Sequence, residues 1–115
     1  NERGILLSQA RQYTYALADY DQALALDPEF FDAYYNRGIL YLKTERYEEA
    51  VADCDRALAL DPYRTEIYYH RGLAYFSLGK YDQALKDLER VLTDASLARA
   101  MRRQARRLKA RITGR

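Results

Sequence analysis

Apolar residues along the chain fall three and four apart in short blocks, and the blocks recur. Tyr34, Gly38 and Tyr41 share one stripe; after Thr44-Glu45-Arg46 the pattern restarts with Tyr47, Ala50, Val51, Cys54, Ala57 and Leu58. Such spacing lays each block along one face of a helix, so two amphipathic helices are predicted over roughly 31–44 and 47–60. Asp61-Pro62-Tyr63-Arg64 ends the second, because Pro62 has no N–H to donate and restricts the residue before it. Thr65 can cap the next helix, with Glu66 favourable in its first turn. A further pair is predicted over about 65–78 and 81–93, with Gly79 as the C-cap between its members.

The second pair copies the first. Tyr34-Tyr35-x-Arg37-Gly38-x-x-Tyr41 returns as Tyr68-Tyr69-x-Arg71-Gly72-x-x-Tyr75, a shift of 34 residues. The same shift carries Asp27-Pro28 to Asp61-Pro62, and Tyr13 to Tyr47 to Tyr81. Residues 3–30 match 37–64 at 15 of 28 positions, and 31–64 match 65–98 at ten of 34. A period of this length means stacked copies of one small unit, hence a solenoid. The units are expected at about 1–30, 31–64 and 65–96. The first lacks its opening residues, so its first helix is expected to be short or to continue beyond the chain. Gly38, Gly72, Ala50 and Ala84 fall where paired helices must approach closely, and overpacking there would cost about 1–3 kcal/mol.

The tail differs. Leu97, Met101, Ala105, Leu108 and Ile112 fall within an arc of about 80° on a helical wheel, with Arg99, Arg102, Arg103, Arg106 and Lys109 opposite. Asp94 or Ser96 can cap its start and Gly114 marks its end. A repeat array needs a terminal element with one polar face, and residues 97–113 are read as that basic capping helix.

Charge sharpens the division. The net charge of +2 combines −6 over residues 1–94 with +8 over 95–115. Cys54 is the only cysteine, so no intrachain disulfide can form, and its apolar stripe marks it as a small buried hydrophobe. No apolar run is long enough to span a membrane and no signal peptide is visible; with one cysteine, this favours a cytoplasmic location. The chain opens on Asn1 rather than Met, which suggests an excised or processed fragment. One histidine, His70, gives no His-based metal cluster, and no phosphate-binding loop is present. Asp19, Asp53 and Asp87, and then Asp21, Asp55 and Glu89, recur at the repeat spacing. That regularity reads as solvated helix faces, not as a paired acid and base. No catalysis and no cofactor are expected.

The pattern resembles the tetratricopeptide repeat family: Tyr34, Arg37-Gly38, Tyr41, Ala50, Cys54, Pro62, then Tyr68, Arg71-Gly72, Tyr75, Ala84, Leu88, and in the first unit Gly4, Leu7, Ala16, Tyr20, Pro28. The departures are Arg for Leu before each Gly, Cys54 and Leu88 for an aromatic, and Ser96 for a Pro. The resemblance implies an all-α, right-handed α-α superhelix (solenoid) of about three helix-turn-helix repeats plus a C-terminal capping helix. It implies a protein-interaction scaffold that binds a peptide or helix of a partner along the first-helix face. Carried over, that face holds Tyr35, Asn36, Ile39, Leu42 and Lys43, then Tyr69, His70, Leu73, Phe76 and Ser77, with Ile5, Ser8 and Gln9 from the first unit. In this family Asn at the place of Asn36 often holds a ligand backbone, being donor and acceptor together. One subtype clamps the two carboxylates of chaperone tails with Lys, Asn and Arg; only Asn36 matches, while Ile5, Glu66 and His70 stand at the other positions. Two other readings compete: polyanion binding (nucleic acid or anionic membrane) through Arg99, Arg102, Arg103 and Arg106, which lack interleaved aromatics, and self-association through the open N-terminal flank.

Overall fold

A computed structural model describes the backbone of residues 2–114 and the side chains of 11–114. Among the described residues every regular element is a helix: α1 (Glu2–Leu26), α2 (Phe31–Lys43), α3 (Tyr47–Leu60), α4 (Glu66–Ser77), α5 (Tyr81–Leu92) and α6 (Arg99–Thr113). Neighbours in sequence pack as neighbours in space, α2 on α3, α3 on α4, α4 on α5 and α5 on α6, with first helices also touching across units. This is a helical-repeat solenoid whose last repeat is covered by α6.

The turns inside the repeats follow from local chemistry. The Thr44 hydroxyl donates to the Leu40 and Tyr41 carbonyls, and Glu45 takes a left-handed φ of 63° that lets Arg46 N–H reach the Tyr41 carbonyl at 2.8 Å. Gly79 does the same at φ 78°, where a missing side chain removes the strain. The first unit has no such break. Arg11 stands where the later units have Glu45 and Gly79, between Ala10 and Gln12. These three favour helix, and α1 runs unbroken from Glu2 to Leu26. The expected short first helix before Tyr13 is therefore part of one long helix.

Two expected caps also differ. Thr65 occupies the N-cap of α4 but its hydroxyl makes no capping bond. Its φ and ψ are already helical, which turns the side chain away from the first-turn N–H groups. Asp94 is occupied by the Ser96 backbone and hydroxyl, so α6 begins later, with Ala98 at its N-cap. Gly114 ends α6 at φ 73°, donating to the Ala110 carbonyl at 2.8 Å.

The core has two centres. Leu24, Ala33, Tyr34, Cys54, Ala57, Leu58 and Ile67 form one between α1 and α4. Leu88, Val91, Ala105 and Leu108 form the other, with Leu97, Met101 and Ile112 packed around it, so the apolar arc of α6 covers the last repeat. A Cβ on Gly72 would lie 3.4 Å from both Asp87 Cβ and Leu88 Cδ2, which marks a close crossing of α4 and α5. Cys54 is buried in the first centre, and loss of solvent pushes its thiol up to about 12.

Candidate functional site

The first helices are positioned by a ladder of ion pairs. Arg37 of α2 donates from Nε and Nη2 to both carboxylate oxygens of Asp53 in α3, each at 2.7 Å, and from Nη1 to Asp21 in α1 at 2.8 Å. Arg71 of α4 repeats this with Asp87 in α5 at 2.9 and 2.8 Å, and with Asp55 in α3 at 2.9 Å. Each arginine thus reaches sixteen residues forward within its unit and sixteen back into the preceding one. Asp53 and Asp87 are only 3% and 4% exposed, which overturns the expectation that these carboxylates line solvated faces. A two-pronged guanidinium satisfies both oxygens and neutralises the charge, so the carboxylate can leave water. Asp21 and Asp55 remain exposed. Tyr34 and Tyr41 flank Arg37 with ring centroids 5.8 Å away, and Tyr68 and Tyr75 flank Arg71 at 5.3 and 5.8 Å. Spacing of minus three and plus four puts both rings on the arginine's face. Hydrogen bonding to Asp53 and to Asp87 pushes the respective guanidinium groups above their ordinary value.

With the ladder on one side, α2 and α4 offer the rest of their surface. Phe31 meets Tyr35 edge-on at 5.9 Å, Tyr35 meets His70 at 5.7 Å, and His70 meets Tyr69 at 5.6 Å. This half-buried aromatic strip joins two units and contains three of the residues expected on the recognition face. Burial pushes the Tyr35 and Tyr69 phenols up and holds the His70 imidazole down, the latter against the opposing charge of Glu66. Asn36 is exposed beside the strip and its side-chain amide makes no hydrogen bond within the described residues. It is left with donor and acceptor both unspent. Ile39 and Leu42 are half-buried, and Lys43 and Ser77 are exposed. Leu73 and Phe76 are shared, since they also pack against the second core centre. The side chains of Ile5, Ser8 and Gln9 lie outside the described ones.

The capping helix joins this face. Arg107 and Arg111, with Gln104 and Leu108, line a cleft of about 200 Å³ whose other wall is Tyr69 and Leu73. The Arg111 guanidinium lies 5.0 Å over the Phe76 ring. Sequence reasoning missed both arginines, because only the rotation of α6 against α4 brings that flank to the strip. Arg99, Arg103 and Arg106 are exposed, as the polyanion reading requires. Arg102 is half-buried with its Nε enclosed and without a partner among the described residues, and Lys109 is held by Glu89 at 2.7 Å. A larger cleft, about 700 Å³, opens on the opposite flank of α6 against Leu92. It is walled by Arg106, Lys109, Ala110 and Thr113 and does not touch the aromatic strip. No group of three or more His, Cys, Asp or Glu among the described residues could hold a metal ion. No described helix is long and apolar enough to cross a membrane.

Two tetratricopeptide repeat family models match the chain, one over residues 37–113 and one over 1–65. The chain belongs to the tetratricopeptide repeat family. Its fold is similar to that of the second TPR domain of human RPAP3 in complex with the HSP70 peptide SGPTIEEVD, with TM-score 0.78 and 31% identity over 97% of this chain and 90% of that one. The first TPR of Spaghetti (RPAP3), bound to the HSP90 peptide SRMEEVD, is similar at TM-score 0.78 and 28% identity, covering 97% and 89%. The TPR2B domain of yeast Sti1 in its pHsp70 complex gives TM-score 0.80 and 25% identity, covering 96% and 90%. No curated protein matches the chain in sequence. Within a tetratricopeptide frame, Arg37 and Arg71, each just before a Gly, now have a role: each replaces an apolar residue with the centre of a rung of the ion-pair ladder.

Proposed function

We propose that the chain is a protein-interaction module whose α2–α4–α6 face binds an extended, acidic peptide segment of a partner protein. The observation that carries this is the cleft in which Tyr69 and Leu73 face Arg107 and Arg111. It sets apolar area beside two exposed cations, next to an aromatic strip and the unspent amide of Asn36. Such a surface suits a peptide with an aliphatic or aromatic anchor, a backbone held by the amide, and carboxylates at the α6 end. The similar TPR domains hold peptides ending in Glu-Glu-Val-Asp. In this chain Ile5, Glu66 and His70 stand where the two-carboxylate clamp uses Asn, Lys and Arg. Arg64 approaches Glu66 only at 3.6 Å. The acidic contact is therefore assigned to Arg107 and Arg111.

Fluorescence anisotropy with labelled SRMEEVD, and with its Gln/Asn counterpart SRMQQVN, tests this. The parent chain binds the acidic peptide better than the neutral one. Both Asn36→Ala/Tyr69→Ala and Arg107→Glu/Arg111→Glu weaken binding at least tenfold, with helical content unchanged by circular dichroism. Equal affinity for the two peptides overturns the acidic end of the assignment. Unchanged binding by both double variants overturns the surface.

A further inference from the structure

The second helix of each complete unit is covered from two sides: α3 packs on α2 and α4, and α5 packs on α4 and α6. Among the described residues α1 packs on α2 alone. Yet residues 13–26 of α1 are the counterpart of α3, with eleven identities over 13–28 against 47–62. In the second unit, the surface that receives Gly38 is Ala50, Asp53 and Cys54, all buried. The same positions in α1 are Ala16, Asp19 and Tyr20. Asp19 is exposed and the other two are only half-buried. No cation pairs with Asp19 among the described residues, although its counterparts Asp53 and Asp87 are each gripped by an arginine.

The chain carries the missing piece. Arg3-Gly4-Ile5-Leu6 repeats Arg37-Gly38-Ile39-Leu40 letter for letter, and Arg3 stands sixteen residues before Asp19, as Arg37 does before Asp53. Because α1 does not bend, residue 3 lies about 24 Å along the helix from residue 19 and cannot reach it.

We propose that the open face of α1 is filled by residues 2–10 of a second copy of this chain. In the second unit the antiparallel helices match residues 37 and 53, equidistant from the turn residue Glu45. The same register in α1 is centred on Arg11. Two straight α1 helices lying antiparallel about a twofold axis there place Arg3 of each copy on the partner's Asp19. The arrangement is isologous, and it exchanges an identical element across a hinge that has straightened, as in domain swapping. Arg11 is the hinge, since it replaces the left-handed residue that bends the later units.

Charge reversal tests the occupant. Light scattering on the full chain gives the mass of two chains for the parent, against 13.5 kDa for one. Arg3→Asp and Asp19→Arg, taken singly, place like charges at both contacts and weaken the dimer at least tenfold. Mixing the two variants restores both contacts and returns the mass of two chains, one of each kind by native mass spectrometry. Arg11→Gly, which supplies the turn residue found at Gly79, shifts the parent toward one chain. A parent that stays at the mass of one chain throughout the micromolar range overturns the proposal. So does a mixture that stays monomeric, which would mean that each chain folds its own N-terminal residues back.

Discussion

The two carboxylates held by Arg37 differ in burial and hardly in distance, so they should differ severalfold in worth. Asp53 is bonded at 2.7 Å and its side chain is 5% exposed; Asp21 is bonded at 2.8 Å and its side chain is 61% exposed. An exposed pair contributes about 0–1 kcal/mol, so Asp21→Asn should cost no more than that. Arg37→Leu strips the partner from a buried carboxylate, a change that costs about 3–5 kcal/mol. The Arg37 side chain is itself 20% exposed, so water can partly enter, and the lower end of that range is expected. Arg37→Leu/Asp53→Leu removes the charge along with its partner and should return to within about 1 kcal/mol of the parent. Urea unfolding followed by circular dichroism reads all three. With a slope of roughly 1–3 kcal/mol/M, the Arg37→Leu midpoint falls by about 1–3 M while that of Asp21→Asn hardly moves. Equal losses for Arg37→Leu and Asp21→Asn would refute the reasoning. So would a double variant no better than Arg37→Leu, because the penalty would then not come from an orphaned charge.

Gly72→Leu should destabilise by about 1–3 kcal/mol, since Asp87 and Leu88 already crowd the position, whereas Gly72→Ala should stay within about 1 kcal/mol because its Cβ meets neighbours at ordinary contact distance; thermal melts distinguish the two. Cys54, buried and with its thiol pushed up to about 12, should resist a thiol reagent near pH 8 in the folded chain and react at once in denaturant, as read by the release of chromophore. His70 is held below its ordinary 6.5 by burial, so as pH falls the unfolded chain takes up the proton first. Its contribution to stability is complete above about pH 6.5 and is lost as pH drops through the lowered folded value, so the fall in Tm between about pH 7 and pH 5 should be smaller in His70→Gln than in the parent.

What the sequence made legible is whatever the repeat states twice. Helices over 31–43, 47–60, 66–77 and 81–92 could be read because Pro62, Gly79 and the spacing of Tyr34, Gly38 and Tyr41 act locally. The ladder was also stated twice, as Arg37 with Asp53 and Arg71 with Asp87, yet it read as solvated charge. Recurrence shows that a position matters but not which side of a helix meets a neighbour. Burial of Asp53 depends on the approach of α2 to α3, and that is a tertiary fact. The unbroken α1 was missed for the converse reason: alignment carries a turn into residues 10–12, while Ala10, Arg11 and Gln12 have no chemistry for one. Arg107 and Arg111 lie in a segment outside the repeat, so no second copy could show which flank of α6 would turn toward Tyr69.

The two ends of the array then differ in a way the ladder makes specific. Its rungs alternate between a carboxylate of the unit's own second helix and one of the unit before. At the C-terminal end the next arginine would fall at Ala105, which is fully buried on the core side of α6. The waiting carboxylate, Glu89, is taken instead by Lys109 at 2.7 Å. The last repeat is therefore finished both apolarly and electrostatically by one helix. At the N-terminal end neither condition is met among the described residues: no arginine pairs with Asp19, and no first helix covers Ala16 and Tyr20 as one covers Ala50 and Cys54. Among the described residues one side of α1 is thus left uncovered, while α5 is covered on both sides. The proposed peptide-binding face, built from α2, α4 and α6, lies toward the end covered by α6. Addition of a second copy at α1 would thus lengthen the array without covering the cleft at Tyr69 and Arg107, and two chains joined there would present two such clefts at once.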